Sequence, residues 1–481
     1  MQKFFTRKFK LIVAAGAMAL AYGCASTGGP LGLSQEQEKA IGEQQHPQIV
    51  AQFGGEVQDQ ALRAYVDGIA RKLIAASDHP NDPIVVTTLD SPVVNAFALP
   101  GHVYVTRGLL ALANSEAELA GVLGHELGHV YARHTARRVS RSNLTGIGAV
   151  IVGVLTGSQE SMETVGQLGQ LYLLKYSRGQ EYEADLIGVR LLGSSDYDPA
   201  AQADFLNTLG RWSNMEMQLA GASAPPEFMS THPNSAERVR RAAQEAQVVA
   251  TPGALANRNR ATYLGKIDGM LYGDDPVRHG FVRGNEFFHP DMRFAFAAPS
   301  TFQLTNSPSA VIGRAQNGSQ MQFLGASTDK TPAAFIDNEI SQSLGIDLSP
   351  ARSVQVNGRS GAVGSARANT QSGAVDVQVQ VIQWQGQQHF VFLWLTPPAA
   401  TQQMQSAINS SVSSLRAVDP NSISIPPALE VDVVRVRSGD TVSGLAAQSG
   451  FPNAKEQRFI IINGLLNASD LTAGDDVKIV R

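Results

Sequence analysis

Two histidines four residues apart with a glutamate after the first, His125-Glu126-Leu127-Gly128-His129, constrain this chain most. They can act together only if the segment is a helix. Residues i and i+4 lie on one helical face, so both imidazoles can aim a nitrogen at a single ion about 2 Å from each. Glu126 then stands beside the ion. It can take a proton from water that the ion has acidified to a pKa of about 7, and pass it to a leaving amine. The flanks predict the helix: Ser115 as its cap, Glu116 and Glu118 in the first turn, and an apolar stripe of Leu119, Val122, Leu123 and Leu127.

Two imidazoles leave such a site short of a third ligand. A metzincin arrangement would need glycine at 132 and histidine at 135, where the chain has Ala132 and Thr135, so His134 is out of register and reads as a surface residue or one supporting a ligand. A better source is Glu181-Tyr182-Glu183-Ala184-Asp185, followed by the helical pattern Leu186, Ile187, Val189, Leu191 and Leu192. Glu181 and Asp185 share a helical face while Glu183 points elsewhere. One of the pair could bind the ion, and the other could anchor a ligand histidine through its second nitrogen or serve a substrate.

With both stretches in hand, H-E-L-G-H-V followed by E-Y-E-A-D resembles the gluzincin zinc metallopeptidases that include the CAAX prenyl proteases and the HtpX-type and BepA-type bacterial proteases. The resemblance covers roughly residues 34–247 and includes Asn95-Ala96-Phe97-Ala98-Leu99-Pro100-Gly101 ahead of Val103-Tyr104-Val105. It implies one Zn2+ per chain on His125, His129 and Glu181, with Glu126 as general base and Asp185 as a proton donor or ligand-orienting group. That set leaves His102 without a place among the ligands. Thr231-His232-Pro233, with Arg238 six residues after the histidine, resembles the family's substrate or transition-state contact region. His232 would then lie near the metal, polarising the scissile carbonyl or capping the open position in a resting form. Val103-Tyr104-Val105 reads as a strand. By the resemblance it lies at the edge of a small sheet, where an extended peptide could pair; from the residues alone a core hairpin is equally open.

Lys3, Arg7, Lys8 and Lys10 precede an apolar run from Leu11 to Tyr22 that ends in Gly23 and Cys24, which has the form of a bacterial secretion signal. Cys24 is the only cysteine, so the chain forms no internal disulfide. The stretch resembles a lipoprotein signal with lipidation at Cys24, although Ala21 and Tyr22 depart from the usual pattern. Ala25 after the cysteine would favour the outer membrane. Without residues 1–23 the chain keeps 458 residues and 34 basic against 42 acidic groups, a formal charge of −8. A mildly acidic chain offers nucleic acid no electrostatic footing. The apolar run 147–155 is too short to span a bilayer and reads as a buried helix beside the catalytic one.

After about residue 260 the periodicity changes from helix to strand. Val375, Val377, Val379 and Val381 alternate with polar residues, and Gln385-Gly386-Gln387 turns the chain into Phe390 and the apolar run after it. Phe335, Ile336, Ile340 and Leu344, then Met404, Ile408, Val412 and Leu415, predict two helices. The expectation is an antiparallel sheet with helices on one face. From Val434 onward, Val436-Arg437-Ser438-Gly439-Asp440-Thr441, Ile462-Asn463-Gly464-Leu465 and Leu471-Thr472-Ala473-Gly474-Asp475 resemble a LysM module, which implies a strand-helix-helix-strand unit able to bind peptidoglycan.

The fold expected is α+β. Residues 1–23 form a signal peptide, 24–260 a mainly helical zinc-peptidase domain with a small sheet at the active site, 275–420 an antiparallel-sheet domain and 430–481 a LysM-like βααβ module. The function expected is a zinc endopeptidase of the bacterial envelope, anchored by lipid at Cys24, facing the periplasm and acting on misfolded or misassembled proteins. The site is expected to comprise His125, His129 and Glu181 on the metal, with Glu126, Asp185 and His232 in catalysis. Two other readings stand beside it: an assembly factor that binds clients with little cleavage, and a peptidoglycan cross-link hydrolase.

Overall fold

The computed structural model describes residues 35–135, 137, 175–220, 232, 236–250, 257–307, 309–370 and 373–481. Cys24 and its signal-like segment, the apolar run 147–155, Thr231 and Pro233 lie outside the described residues. The chain divides into two compact units, one comprising the described residues up to Asp274 together with 428–481, the other comprising 275–427. No helix among the described residues is long and apolar enough to cross a membrane.

The first unit begins with α1 (Gln35–Gln52) and α2 (Gln60–Ala75). The Asp59 carboxylate caps α2 by accepting from the Ala61 and Leu62 amides, and Leu62, Val66, Ile69 and Leu73 form its buried stripe. Strands β1 (Val85–Leu89), β2 (Ala96–Leu99) and β3 (His102–Thr106) follow. Pro100-Gly101 turns β2 into β3, and Gly101 supplies the left-handed φ of 77° that this tight turn needs. The sheet order is β1-β3-β2, so Val103-Tyr104-Val105 is the central strand, not the edge expected for it. Those three side chains are wholly buried, which an edge strand facing a cleft would not permit. The outer strands are β1 and β2, and Glu56 bridges Leu89 on the outer side of β1. Helices α3 (Arg107–Leu112), α4 (Glu116–Tyr131), α5 (Arg178–Ser194), α6 (Ala201–Ala220), α7 (Ala236–Val249) and α8 (Arg260–Ile267), then the short β4 (Leu271–Tyr272), complete this part.

Residues 275–427 form the second unit. Strands β5 (Phe281–Arg283), β6 (Glu286–His289) and β7 (Phe294–Ala297) make a small sheet, joined later by β15 (Arg416–Ala417). A seven-stranded antiparallel sheet has β8 (Phe302–Asn306), β9 (Val311–Ala315) and β10 (Gln320–Ser327) at one side. At the other are β11 (Arg352–Val356), β12 (Arg359–Thr370), β13 (Gly373–Gln385) and β14 (Gln388–Thr396), in the order β11-β12-β13-β14-β10-β9-β8. The two predicted helical stretches form, but on opposite faces, which corrects the one-faced arrangement. Phe390, Phe392 and Trp394 pack with Met404, Ile408 and Val412 of α11 (Pro398–Ser413). Val391, Leu393 and Leu395 pack with Phe335 of α9 (Pro332–Phe335), Ile336 and Ile340 of a π-helical turn, and Leu344 of α10 (Ser341–Leu344). Strand β14 is therefore covered on both sides, and its sequence runs apolar instead of alternating.

The last stretch returns to the first unit as β16 (Leu429–Arg435), α12 (Val442–Ala447), α13 (Lys455–Ile462) and β17 (Asp476–Val480). Strand β16 pairs with β17 on one side and with β4 on the other. Val436, Val442, Leu445, Phe459, Val477 and Ile479 make a small core of their own. Val431, Phe451, Ile461, Ile462 and Val480 instead join the core that contains Leu110 and Leu123. Lys478 is fully buried, and its ammonium donates to the carbonyls of Ala111 at 2.8 Å, Leu112 at 3.3 Å and Ala113 at 2.7 Å. A cation there meets the negative end of α3. Burial drives Lys478 well below the ordinary lysine value, with Arg260 lowering it further and Glu118 pulling it back up.

Candidate metal centre

Helix α4 starts where Ser115 accepts from the Glu118 amide, and nearly every residue from Ala117 to His129 is buried. A helix buried all round has neighbours on every side, and the closest is α5. That helix opens with a capping box, Ser177 and Gln180 bonding each other's backbone, so Glu181 sits in its first turn. The two helices meet at glycine. A Cβ on Gly124 would lie 3.1 Å from the Gly188 Cα, and one on Gly188 would lie 2.9 Å from the His125 nitrogen. Gly128 faces the Ala184 Cα at 3.0 Å in the same way. This close approach lets short side chains of one helix reach those of the other.

At the seam, His125, His129, Glu181 and His232 offer ligand atoms that all lie within 4.8 Å of one another, and all four are buried. His125 Nε2 is 3.0 Å from His129 Nε2 and 3.3 Å from His232 Nδ1. The Glu181 carboxylate lies 3.2 Å from His232 Nδ1 and 3.5 Å from His129 Nε2. Glu126 stands beside the group with both oxygens buried and without a hydrogen-bond partner among the described residues; His232 Nε2 lies 3.8 Å from one of them. Asp185 lies behind His125, with a carboxylate oxygen 2.9 Å from its Nδ1. Arg238, from α7, donates to Asp185 at 2.7 and 2.8 Å and forms an ion pair with Glu181 at 2.6 Å. Arg238 is itself buried at 1 % exposure, and it holds the two acids in place.

Charge and burial work against each other here. Burial raises Glu126 above the usual carboxylate range. It would raise Glu181 too, but the Arg238 charge outweighs it and holds Glu181 well below that range. Asp185 is pushed up by burial and pulled down further by Arg238 and His125, ending at about 2. Burial lowers His129 far below the ordinary imidazole value, whereas in His125 the bond to Asp185 overcomes burial and raises it.

Of the expected residues, the structure brings together His125, Glu126, His129, Glu181, Asp185 and His232, and His232 stands among the ligand atoms themselves. His102 lies elsewhere, stacked on His46 with ring centroids 4.7 Å apart. The sequence reading did not foresee the glycine seam or the hold of Arg238 on both acids. It also missed Tyr176, whose ring stacks on His129 at 3.7 Å. His134 is not a surface residue: it is fully buried, with Nδ1 2.8 Å from His129 Nδ1.

Three imidazole nitrogens and a carboxylate oxygen converging from four side chains are the donor set zinc takes. Fully ionised, Glu126, Glu181 and Asp185 with Arg238 carry a charge of −2, which a divalent cation cancels. Unpaired carboxylate oxygens at zero exposure are costly unless a cation or water faces them. The residues fit the ion.

A cavity of about 430 Å³ opens from His129 toward the turn at Pro100-Gly101, lined also by Ala98 and Leu99 of β2 and by Glu38 and Glu43 of α1. Arg133 donates to Glu38 across its rim at 2.9 Å.

Residues 60–246 match the model of peptidase family M48. The chain is 31% identical over 211 residues to the beta-barrel assembly-enhancing protease of Yersinia pestis, covering 42% of each chain. It is 30% identical over 227 residues to the mitochondrial metalloendopeptidase OMA1 of Schizosaccharomyces pombe, covering 45% of this chain and 64% of that one. To the OMA1 protein of Arabidopsis thaliana it is 35% identical over 161 residues, 33% of this chain and 31% of the relative. The chain thus spans less than two thirds of the length of the curated relatives it matches.

Proposed function

We propose, from the match of residues 60–246 to the peptidase family M48 model, that the chain is a zinc-dependent endopeptidase of the bacterial envelope that cleaves misfolded or misassembled envelope proteins. The observation that carries the proposal is the buried group of His125, His129, Glu181 and His232 with the unpartnered Glu126 carboxylate beside it. The name of the Yersinia relative, a beta-barrel assembly-enhancing protease, supports the envelope as the setting.

His125, His129 and Glu181 would hold the metal, with His232 as a further donor. Bound zinc supplies a Lewis acid that polarises the scissile carbonyl and acidifies water. Glu126 acts as general base, its carboxylate oxygen receiving the proton of the attacking water and delivering it to the leaving amide nitrogen. Burial raises Glu126, which helps it keep that proton until the amine departs. His232, between Glu126 and Glu181, must swing aside for a carbonyl to enter, which makes it a resting cap that can turn to support the reacting oxygen. Asp185 and Arg238 hold the ligands in aim. Because β3 is interior, the free edge of β2 beside the cavity would pair with an extended substrate.

Two anchors belong to the same proposal: lipid at Cys24, and peptidoglycan through residues 430–481, whose strand-helix-helix-strand order suits a LysM module. Sedimentation of the full chain with purified sacculi tests the second, and failure to sediment removes it. The central test is Glu126→Gln. The variant is expected to bind one zinc per chain and to lose cleavage of an unfolded outer-membrane protein by about 100- to 10,000-fold, as removal of a general base implies. Retained cleavage would take Glu126 out of the mechanism. Rescue of an envelope defect by the inactive variant would favour client binding over proteolysis.

A further inference from the structure

The two metal-facing histidines of α4 are backed differently. His125 Nδ1 lies directly against the buried Asp185 carboxylate at 2.9 Å. Among the described residues, His129 has no carboxylate behind its Nδ1. Its Nδ1 meets another imidazole, His134 Nδ1 at 2.8 Å, and the far nitrogen of that ring, Nε2, meets Glu183 at 3.1 Å. Glu183 is 46% exposed and pairs with Arg137 at 3.6 Å.

The geometry points to His134 and Glu183 as a positioning relay that fixes the proton on His129 Nδ1 and so turns the His129 Nε2 lone pair toward the metal. The direction follows from Glu183. An ionised carboxylate only accepts, so His134 Nε2 must carry a proton and donate it. A neutral His134 then has its lone pair on Nδ1, which can only accept. His129 must therefore donate from Nδ1, and its free lone pair is on Nε2, the atom 3.0 Å from His125 Nε2 and 3.5 Å from Glu181. Every nitrogen in the row has one role, set from the solvent-facing end. The reverse row would put a proton on Nε2, inside the donor set, where no ion could bind it.

The surroundings suit a fixed ring. Tyr176 lies against His129 at 3.7 Å with an interplanar angle of 16°, and Gln180 donates to the His134 carbonyl at 3.4 Å. The chain places His134 by leaving the helix: Arg133 takes a left-handed φ of 52° just after the helix cap at Ala132, and the turn brings His134 back over the last helical turn.

This inference rests on the reading of the site as a zinc centre, and the test separates the two. Zinc affinity of the full chain is measured by competition with a chromogenic chelator, and the ligand field by the visible spectrum of the cobalt-substituted protein. Failure of the native chain to take up either metal would end the zinc reading itself. With the native chain loaded, His134→Phe, which keeps the ring volume without the acceptor, is expected to weaken zinc by about 10- to 100-fold and shift the cobalt spectrum. His134→Asn, which restores an oxygen acceptor at the Nδ1 position, is expected to stay within about threefold of native. Glu183→Ala, on the exposed helix face, is expected to weaken zinc several-fold. Native affinity in His134→Phe, or equal loss in the phenylalanine and asparagine variants, overturns the relay. If His134→Phe does not fold, Glu183→Ala decides: several-fold weakening supports the relay and unchanged affinity overturns it.

Discussion

His125 and His129 stand on one turn of one helix, yet the protein supports them by opposite means. Behind His125 lie Asp185 and Arg238, both nearly unexposed, an ionic pair sealed from water. Behind His129 lies a neutral ring leading to Glu183 at the surface. A buried ion pair is rigid but carries a desolvation penalty, and it is dangerous to break because either partner left alone is a stranded charge. A neutral relay avoids most of that penalty. Its carboxylate stays half-exposed, so the field it sends inward is weakened by solvent and salt.

The contrast can be broken most sharply at Asp185. Asp185→Ala takes one of its two carboxylate partners from the buried Arg238 and leaves His125 without the carboxylate behind it, and should destabilise the protein by about 3–5 kcal/mol, read as a lower urea midpoint with unchanged slope. A loss as small as that of a surface ion pair would mean the sealed side is not what holds the site. Metal removal should have the next largest effect. A chelator should destabilise the native chain by about 2.7 kcal/mol relative to zinc held at a hundred times its Kd, and the thermal midpoint shows it. In the Asp185 variant that difference should shrink, because less zinc binds. Lys478→Met, remote from both sides, should cost about 1–3 kcal/mol through the three carbonyls it abandons, leaving zinc affinity per folded molecule unchanged. A change in affinity would show that the α3–β17 contact reaches the metal. The relay variants set the smallest step, with Glu183→Ala costing zinc only several-fold and no folding stability beyond about 0.5 kcal/mol.

Much of this was legible because it obeys local rules. Ser115, the paired histidines and the acid pair Glu181 and Asp185 follow helical spacing, and spacing alone predicts which side chains share a face. The alternation at Val375 to Val381 likewise announced β13. What spacing could not convey is who the neighbour is. Gly124 and Gly188 look like ordinary weak helix formers until the helices touch, and their small size is then the reason four donors can meet. His134 was judged by a helical register that the chain abandons at Ala132. The burial of β3 and the opposed helices of the sheet unit are tertiary facts as well: an apolar strand reads the same at a centre as at a covered edge.

The docking of β17 gives the fold a clock. Lys478 caps a helix end more than 360 residues earlier, and Val480 shares a core with Leu123, the residue two before the first metal-facing histidine. Contacts so far apart in sequence form late, because the intervening chain must be gathered before they contribute any stability. While the polypeptide is being synthesised, the helix with the histidines is made early and waits with part of its core uncovered. Only when β17 pairs with β16 is that core closed.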